Sequence, residues 1–393
     1  MMDFEAYLSD TVKQIKPSGI RKFFDLASEM EGVISLGVGE PDFDTPWHIC
    51  EEAIYSIKEG KTHYTANQGL LELRKEICNY LNRKFQLKYD AKDNVVVTVG
   101  GSEGIDIAFR AFLNPGDEVI TLNPAYVAYE PGIQLAHAIN VPIKLEHEDQ
   151  FKLTPEKLES AITEKSKILL LNFPNNPTGG VINKEDYEKI VPIIKKHNLI
   201  VISDEIYAEL TYDGNFCSLA SFDEIKDQVI IVSGFSKAYA MTGWRLGYVV
   251  ANKTFIAAMN KIHQFIIMSA PTAAQYGAIE AMRYGDEQVE MMRQSYMARR
   301  NFVTRGFNRL GLQTHLPQGA FYVFPDIRST GYTSDEFCEL LLKEQKVACV
   351  PGTAFGSAGE GFIRVSYAYS IDHIKIALER IEQFLKDHNL LNK

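Results

Sequence analysis

The chain is poor in the features that mark several functional classes. It has five cysteines among 393 residues, Cys50, Cys78, Cys217, Cys338 and Cys349, odd in number and widely spaced. No Cys-x-x-Cys occurs, which argues against a disulfide framework or a structural zinc and fits a reducing compartment. Each reads as a small buried hydrophobe. Positive charge is in short supply, with a net charge of −10 and no basic stripe with interleaved aromatics. Nucleic-acid binding is therefore not expected, because phosphate contacts need clustered Lys and Arg. No apolar run is long enough to cross a bilayer. The start, Met1-Met2-Asp3-Phe4-Glu5, shows no basic region followed by an apolar stretch, so no signal peptide is expected. Repeats, low-complexity tracts and flexible linkers are also missing. A cytoplasmic enzyme of one large and one smaller domain is the expectation.

Apolar runs alternate with helical patterns through the middle of the chain. Strands are expected at Asn94–Gly100, Glu118–Leu122, Asn140–Leu145, Ile168–Phe173, Leu199–Ser203, Val229–Ser233 and Gly247–Ala251. Several are near-continuous Val, Ile and Leu, as in strands covered on both faces. Helical patterns such as Glu103–Leu113 and Lys184–His197 lie between them. This is the pattern of an α/β fold with a mostly parallel seven-stranded sheet. From about Tyr284 the rhythm changes. A long helix over Gln288–Leu310 is followed by a strand at Gly319–Pro325 and a helix at Ser334–Gln345. Strands at Val347–Val350 and Gly361–Tyr367 and a last helix at Ile371–His388 close the chain. The expected division is an N-terminal arm over 1–47, a large domain over 48–285 and a small α+β domain over 286–393. The arm supplies the other part of the small domain.

The most informative run is Ser233-Gly234-Phe235-Ser236-Lys237-Ala238-Tyr239-Ala240-Met241-Thr242-Gly243-Trp244-Arg245-Leu246-Gly247-Tyr248. It follows the apolar Val229-Ile230-Ile231-Val232, so a lysine arrives at the end of a buried strand. Desolvation lowers an ammonium pKa and frees the amine, which makes Lys237 a candidate Schiff-base former. Ser236 and Arg245 beside it are what a phosphate monoester requires. An amine and a phosphate site together are the demand of pyridoxal phosphate.

Other segments also follow strands. Asp204, in Ser203-Asp204-Glu205-Ile206-Tyr207, is an acid directly after a buried strand, costly without a partner. A protonated pyridine nitrogen is one such partner, with Tyr207 offering its hydroxyl to the ring's phenolic oxygen; a helix cap is the plainer alternative. Asn172-Phe173-Pro174-Asn175-Asn176-Pro177-Thr178-Gly179-Gly180 forms a stiff turn presenting Asn176. Gly100-Gly101-Ser102-Glu103 opens a helix with free N–H groups toward a phosphate. Tyr126 can stack on a flat ring, with Tyr129 as the competing choice. Arg364, among apolar neighbours in Gly361-Phe362-Ile363-Arg364-Val365-Ser366-Tyr367, wants a bidentate anion such as an α-carboxylate.

Together these segments resemble the pyridoxal-phosphate-dependent aminotransferases of the aspartate aminotransferase type, class I/II and fold type I. The resemblance runs from Ser18-Gly19-Ile20-Arg21 to the last helix. It implies that Lys237 carries the cofactor covalently, that Asp204 pairs with the pyridine nitrogen, and that Tyr207 and Asn176 bind the phenolic oxygen. Tyr126 stacks on the ring, and Gly101, Ser102, Ser236 and Arg245 hold the phosphate. Arg364 clamps the substrate carboxylate, helped by Asn176 and the backbone of Gly39. Tyr64 is similar to the tyrosine that reaches the neighbouring subunit's phosphate, which implies a homodimer with shared sites. Several family members carry a serine three residues before the lysine, where this chain has Gly234. Ser233 is displaced by one position and points elsewhere in a regular strand, so Ser236 ranks above it.

The implied reaction moves an amino group between an L-amino acid and a 2-oxo acid. No metal is called for. The donor is expected to be glutamate or aspartate, with aromatic or N-acyl-diaminopimelate donors as further members of the same branch. Arg110, eight residues beyond Ser102, is the candidate for a side-chain carboxylate, because it flanks the Ile105, Ala108, Phe109 and Phe112 stripe. A carbon–sulfur β-lyase on the same fold would keep every cofactor contact and is the alternative.

Overall fold

A computed structural model describes residues 4–17, 19 and 30–391. Most of the Ser18–Arg21 segment therefore lies outside the described residues. Seven strands form the central sheet: β2 (Val95–Thr98), β3 (Glu118–Asn123), β4 (Ile139–Lys144), β5 (Ser166–Asn172), β6 (Ile200–Asp204), β7 (Val229–Gly234) and β8 (Gly247–Val250). Their order is β2-β8-β7-β6-β5-β3-β4, with β8 antiparallel to both neighbours and every other pairing parallel.

The apolar runs become two-sided because alternate side chains enter different cores. In β6, Val201 joins one hydrophobic cluster and Ile202 the other; in β7, Ile231 and Ile230 do the same. The Leu71–Phe85 and Lys184–Lys196 helices pack on the first face through Leu73, Ile77, Ile190 and Ile194. The Gly100–Phe112 and Lys253–Ile266 helices cover the second through Ile107, Phe109, Ile256 and Met259. Helix starts follow local chemistry. Asn183 accepts from the Asp186 N–H, and Thr333 and Glu336 form a reciprocal capping box on the Ser334–Gln345 helix. The least buried strand, β4, lies at the sheet edge and carries Pro142, which cannot donate to a ladder.

A third cluster stands apart from the sheet. It joins Ile34 and Leu36 to Phe307, Phe321, Val347, Ile363 and Phe384. The run expected as one strand over Val347–Val350 serves two sheets. Val347–Ala348 (β10) pairs in parallel with Ile34–Ser35 (β1), and Val350–Pro351 (β11) pairs antiparallel with Ile363–Ser366 (β12). The strand expected over Gly319–Pro325 shrinks to Tyr322–Val323 (β9), paired with β12.

The parallel strands end on one edge of the sheet, and β8 begins there because it runs the other way. Asp204 is the last residue of β6 and sits in register with Asn172, the last of β5. Gly247, the first of β8, faces Thr98 on one side and Gly234 on the other. Ligands of open α/β sheets bind beyond this edge.

Candidate active site

A cavity of about 310 Å³ opens at that edge. Gly39, Gly101, Ser102, Tyr126, Asn176, Asp204, Tyr207, Ser236, Lys237, Arg245 and Arg364 all border it. Residues more than 300 positions apart thus share one space. The turn after β7 brings Ser236 and Lys237, the turn after β6 brings Tyr207, and β12 brings Arg364.

Lys237 Nζ donates to the Gly39 carbonyl at 2.7 Å. Burial, with Arg364 and Arg245 acting in the same direction, pulls its amine down to about 8, against Glu40 and Asp204. Asp204 is buried and accepts a hydrogen bond from the Tyr129 hydroxyl at 2.6 Å. Burial raises its carboxyl to about 6, despite that bond and a second from the Ile206 N–H. Tyr129 is thereby committed to Asp204, and the half-buried Tyr126 meets its ring edge to face at 5.5 Å.

Arg364 is almost wholly buried. It donates to Asn176 Oδ1 at 3.0 Å and to the Gly37 carbonyl, and its guanidinium lies between the rings of Tyr322 (4.5 Å) and Phe355 (4.7 Å). Its buried Nε has no hydrogen-bond partner among the described residues. Asn176 is itself set by Asn172, whose Oδ1 accepts from the Asn176 N–H at 3.1 Å and whose Nδ2 donates to the Asp204 carbonyl.

At the other end of the cavity the backbone is drawn in closely. A Cβ on Gly100 would stand 2.7 Å from Arg245 Nη2, and Gly100 has φ +73°. A Cβ on Gly247 would stand 2.6 Å from the Gly100 carbonyl carbon and 2.7 Å from the Gly101 nitrogen. These glycines let the guanidinium and the first turn of the Gly100–Phe112 helix converge. Among the described residues no carboxylate lies within ion-pair distance of Arg245. The helix start is braced from below: Glu103 accepts from the Val99 N–H and from His263 Nδ1 (2.6 Å), and His263 is fully buried. Ser233 turns away from the cavity, its hydroxyl donating to the Glu205 carbonyl at 3.3 Å.

Two expected residues stand elsewhere. Arg110 is not brought to the cavity. The buried face of its helix is Gly104, Ile105, Ile107, Ala108 and Phe109, which leaves Arg110 on the solvent side, paired with Asp106 at 2.8 Å. The assignment to a substrate carboxylate is corrected on that ground. Tyr64 is 80% exposed and does not border the cavity of its own chain. Conversely, Asn172, Tyr322, Thr242, Ile105 and Ile206 line the cavity without having been singled out. Asn172 could have been read from its place at a strand end. Tyr322 could not, because a tyrosine in a short strand looks like core.

The chain is similar to known proteins over nearly its whole length. The family model for aminotransferase class I and II matches residues 31–381. YugH of Bacillus subtilis (strain 168) is 52% identical over 97% of this chain and 98% of its own. The aspartate aminotransferase of Pyrococcus abyssi (strain GE5 / Orsay) is 44% identical over 98% of this chain and 99% of its own. The crystal structure of an aromatic aminotransferase from Pyrococcus horikoshii OT3 superposes with a TM-score of 0.90 at 43% identity, covering 94% of this chain and 100% of that one. Nearly the whole chain is covered in each case, and the matches favour amino transfer over the carbon–sulfur lyase. The chain is an aminotransferase and belongs to the class I and II family.

Proposed function

We propose that the chain uses pyridoxal phosphate to move an amino group between an L-amino acid and a 2-oxo acid in two half-reactions. The observation that carries this reading is the set of charges in one small cavity: a lysine amine near neutral pKa, two guanidiniums and a single buried carboxylate. The cofactor fits that donor set. Its phosphate suits Arg245, Ser236, Ser102 and the N–H groups of the glycine-lined helix start. A ring cation suits Asp204, whose buried carboxylate has no cationic partner at hydrogen-bond distance among the described residues. Tyr207 and Asn176 suit the phenolic oxygen, and Tyr126 the ring face. Bound there, the cofactor supplies an electron sink for the electrons left at the substrate Cα.

The residues do the rest. Arg364, with its unpartnered Nε and with Asn176 beside it, binds the α-carboxylate and fixes the Cα–H direction. Lys237 would move the proton at the substrate Cα, acting as general base and then general acid. An amine pKa of about 8 keeps a working fraction of free base at neutral pH. Asp204, held by Tyr129, keeps the ring nitrogen protonated.

The donor is proposed to be aspartate or glutamate, supported by the naming of the Pyrococcus abyssi relative. The cavity wall gives reason for a second reading. Ile105, Ile206, Tyr126 and Tyr322 are apolar or aromatic, and the lining cations are Lys237, Arg245 and Arg364, all engaged above. An aromatic donor suits that wall, and an aromatic aminotransferase is among the solved neighbours.

The domain division 1–47, 48–285 and 286–393 is proposed on the separate cluster that joins Ile34 and Leu36 to the C-terminal elements. A homodimer is proposed on the exposed apolar residues of contiguous elements, among them Trp47, Tyr55, Ile57, Tyr64, Phe265 and Ile266. Tyr64 then serves the partner's phosphate. A cytoplasmic location is proposed on five unpaired cysteines, and no described helix is long and apolar enough to cross a membrane.

The test is a single-turnover absorbance titration of the cofactor-loaded protein with glutamate, aspartate, alanine, phenylalanine and an N-acylated diaminopimelate. Conversion to the pyridoxamine band, reversed by 2-oxoglutarate, is expected and ranks the donors. Lys237→Ala should bring turnover to background; appreciable activity in that variant would sink the assignment.

A further inference from the structure

We propose that Tyr322 is a positioning residue: its hydroxyl sets the hydrogen-bond direction of Tyr207, and its ring carries the Arg364 guanidinium. The proposal rests on the reading of Tyr207 given above. Tyr322 lies in β9, is 1% exposed and borders the cavity. Its hydroxyl oxygen is 2.9 Å from that of Tyr207, and the two rings meet edge to face at 5.9 Å. The Arg364 guanidinium sits over the same ring at 4.5 Å. The fit depends on Gly39, where a Cβ would stand 2.3 Å from the Tyr322 hydroxyl. One side chain from a distant strand therefore touches the two groups assigned to the phenolic oxygen and to the substrate carboxylate.

A phenol has one hydrogen to give. When Tyr207 turns its hydrogen toward an acceptor in the cavity, its oxygen is left to accept, and Tyr322 is the donor in place. A hydroxyl that accepts one bond gives a stronger one, so Tyr322 makes Tyr207 a better donor than a lone tyrosine. Phenylalanine at 322 would keep the ring under Arg364 and lose this effect. The charged and titratable groups facing the pair are Arg364, Tyr126 and Tyr369, with Lys237, Asp204 and Arg245 bordering the same cavity.

The proposal is tested by Tyr322→Phe, Tyr207→Phe and the double variant of the cofactor-loaded enzyme, reading the apparent pKa of the bound cofactor's absorbance. A hydrogen bond to the phenolic oxygen favours its anionic form, so losing it raises that pKa. Tyr207→Phe should raise it most. Tyr322→Phe should raise it by about 0.5, roughly a three-fold change in proton affinity. The double variant should match Tyr207→Phe alone, because Tyr322 acts through Tyr207. The KM for the amino donor, which reads Arg364, should stay within about two-fold in Tyr322→Phe and rise about ten-fold in Tyr322→Leu, which removes the ring. A pKa that moves in Tyr207→Phe but not in Tyr322→Phe, or additive shifts in the double variant, overturns the proposal. A pKa unmoved by Tyr207→Phe overturns the reading of Tyr207 itself, and the proposal with it.

Discussion

Asp204 and Glu205 are consecutive buried acids with different partners. Asp204 holds Tyr129; Glu205 Oε1 accepts from the hydroxyls of Ser203 (2.9 Å) and Ser218 (2.7 Å). Burial raises Asp204 to about 6 and Glu205 to about 7, above the ordinary carboxyl range. A folded-state pKa above the unfolded one means that the folded protein keeps a proton the unfolded chain has lost. Stability therefore falls as pH rises through that interval. For the cofactor-free protein, thermal unfolding followed by circular dichroism should show a falling melting temperature between about pH 4 and pH 7. Glu205→Gln keeps both serine bonds and should flatten the fall; an unchanged slope would reassign it to other groups. Arg364 makes a residue-scale prediction of a different kind. Arg364→Lys keeps the charge and loses the planar fork, so steady-state kinetics should show KM raised by 10- to 100-fold, about 2 kcal/mol, with a smaller change in kcat. The residues that follow strands in a specific order were legible in the chain. Arg110 was misplaced because its position on a helix depends on which face the sheet covers. Tyr322 was invisible because its role depends on two partners more than 40 residues away in sequence.

At the scale of elements, β8 and the Gly100–Phe112 helix form one unit. The close approach of Gly247 to Gly100 and Gly101 leaves no room for a methyl group. Gly247→Ala should destabilise by about 1–3 kcal/mol in denaturant titrations and weaken cofactor retention measured by equilibrium dialysis. Retention unaffected by the change would show that the turn does not need this spacing. The buried Glu103–His263 pair braces the same turn, and His263 Nε2 also contacts the Asn67 carbonyl at 2.8 Å. His263→Ala leaves the Glu103 carboxylate with the Val99 N–H but without its imidazole partner, and a loss of about 2–4 kcal/mol is expected in the same titrations. Strand positions were readable because a doubly covered strand is a continuous apolar run. The direction of β8 was not, since periodicity carries no sense of direction. Nor was the division of 347–351 between two sheets, which the pairing partners decide.

For the whole molecule, apolar side chains remain uncovered on neighbouring elements. Phe265 is 86% exposed at the end of the Lys253–Ile266 helix, while Thr272 and Asn67 tie the loops around Tyr64 to the chain beyond it. Sedimentation velocity should give a dimer, and Phe265→Asp should shift it toward monomer with loss of bound cofactor. A monomer that retains full activity would remove the shared-site reading.

The carbonyls of Gly37 and Gly39 already hold the Arg364 and Lys237 cations inside the protein. Folding, not ligand entry, has taken the Arg364 charge out of water and partly buried that of Lys237. An incoming anion exchanges one set of fixed dipoles for another, and little solvent has to reorganise as it arrives. The Gly37–Gly39 backbone thus acts as an internal solvent for the two cations, holding them in place in advance of their ligands.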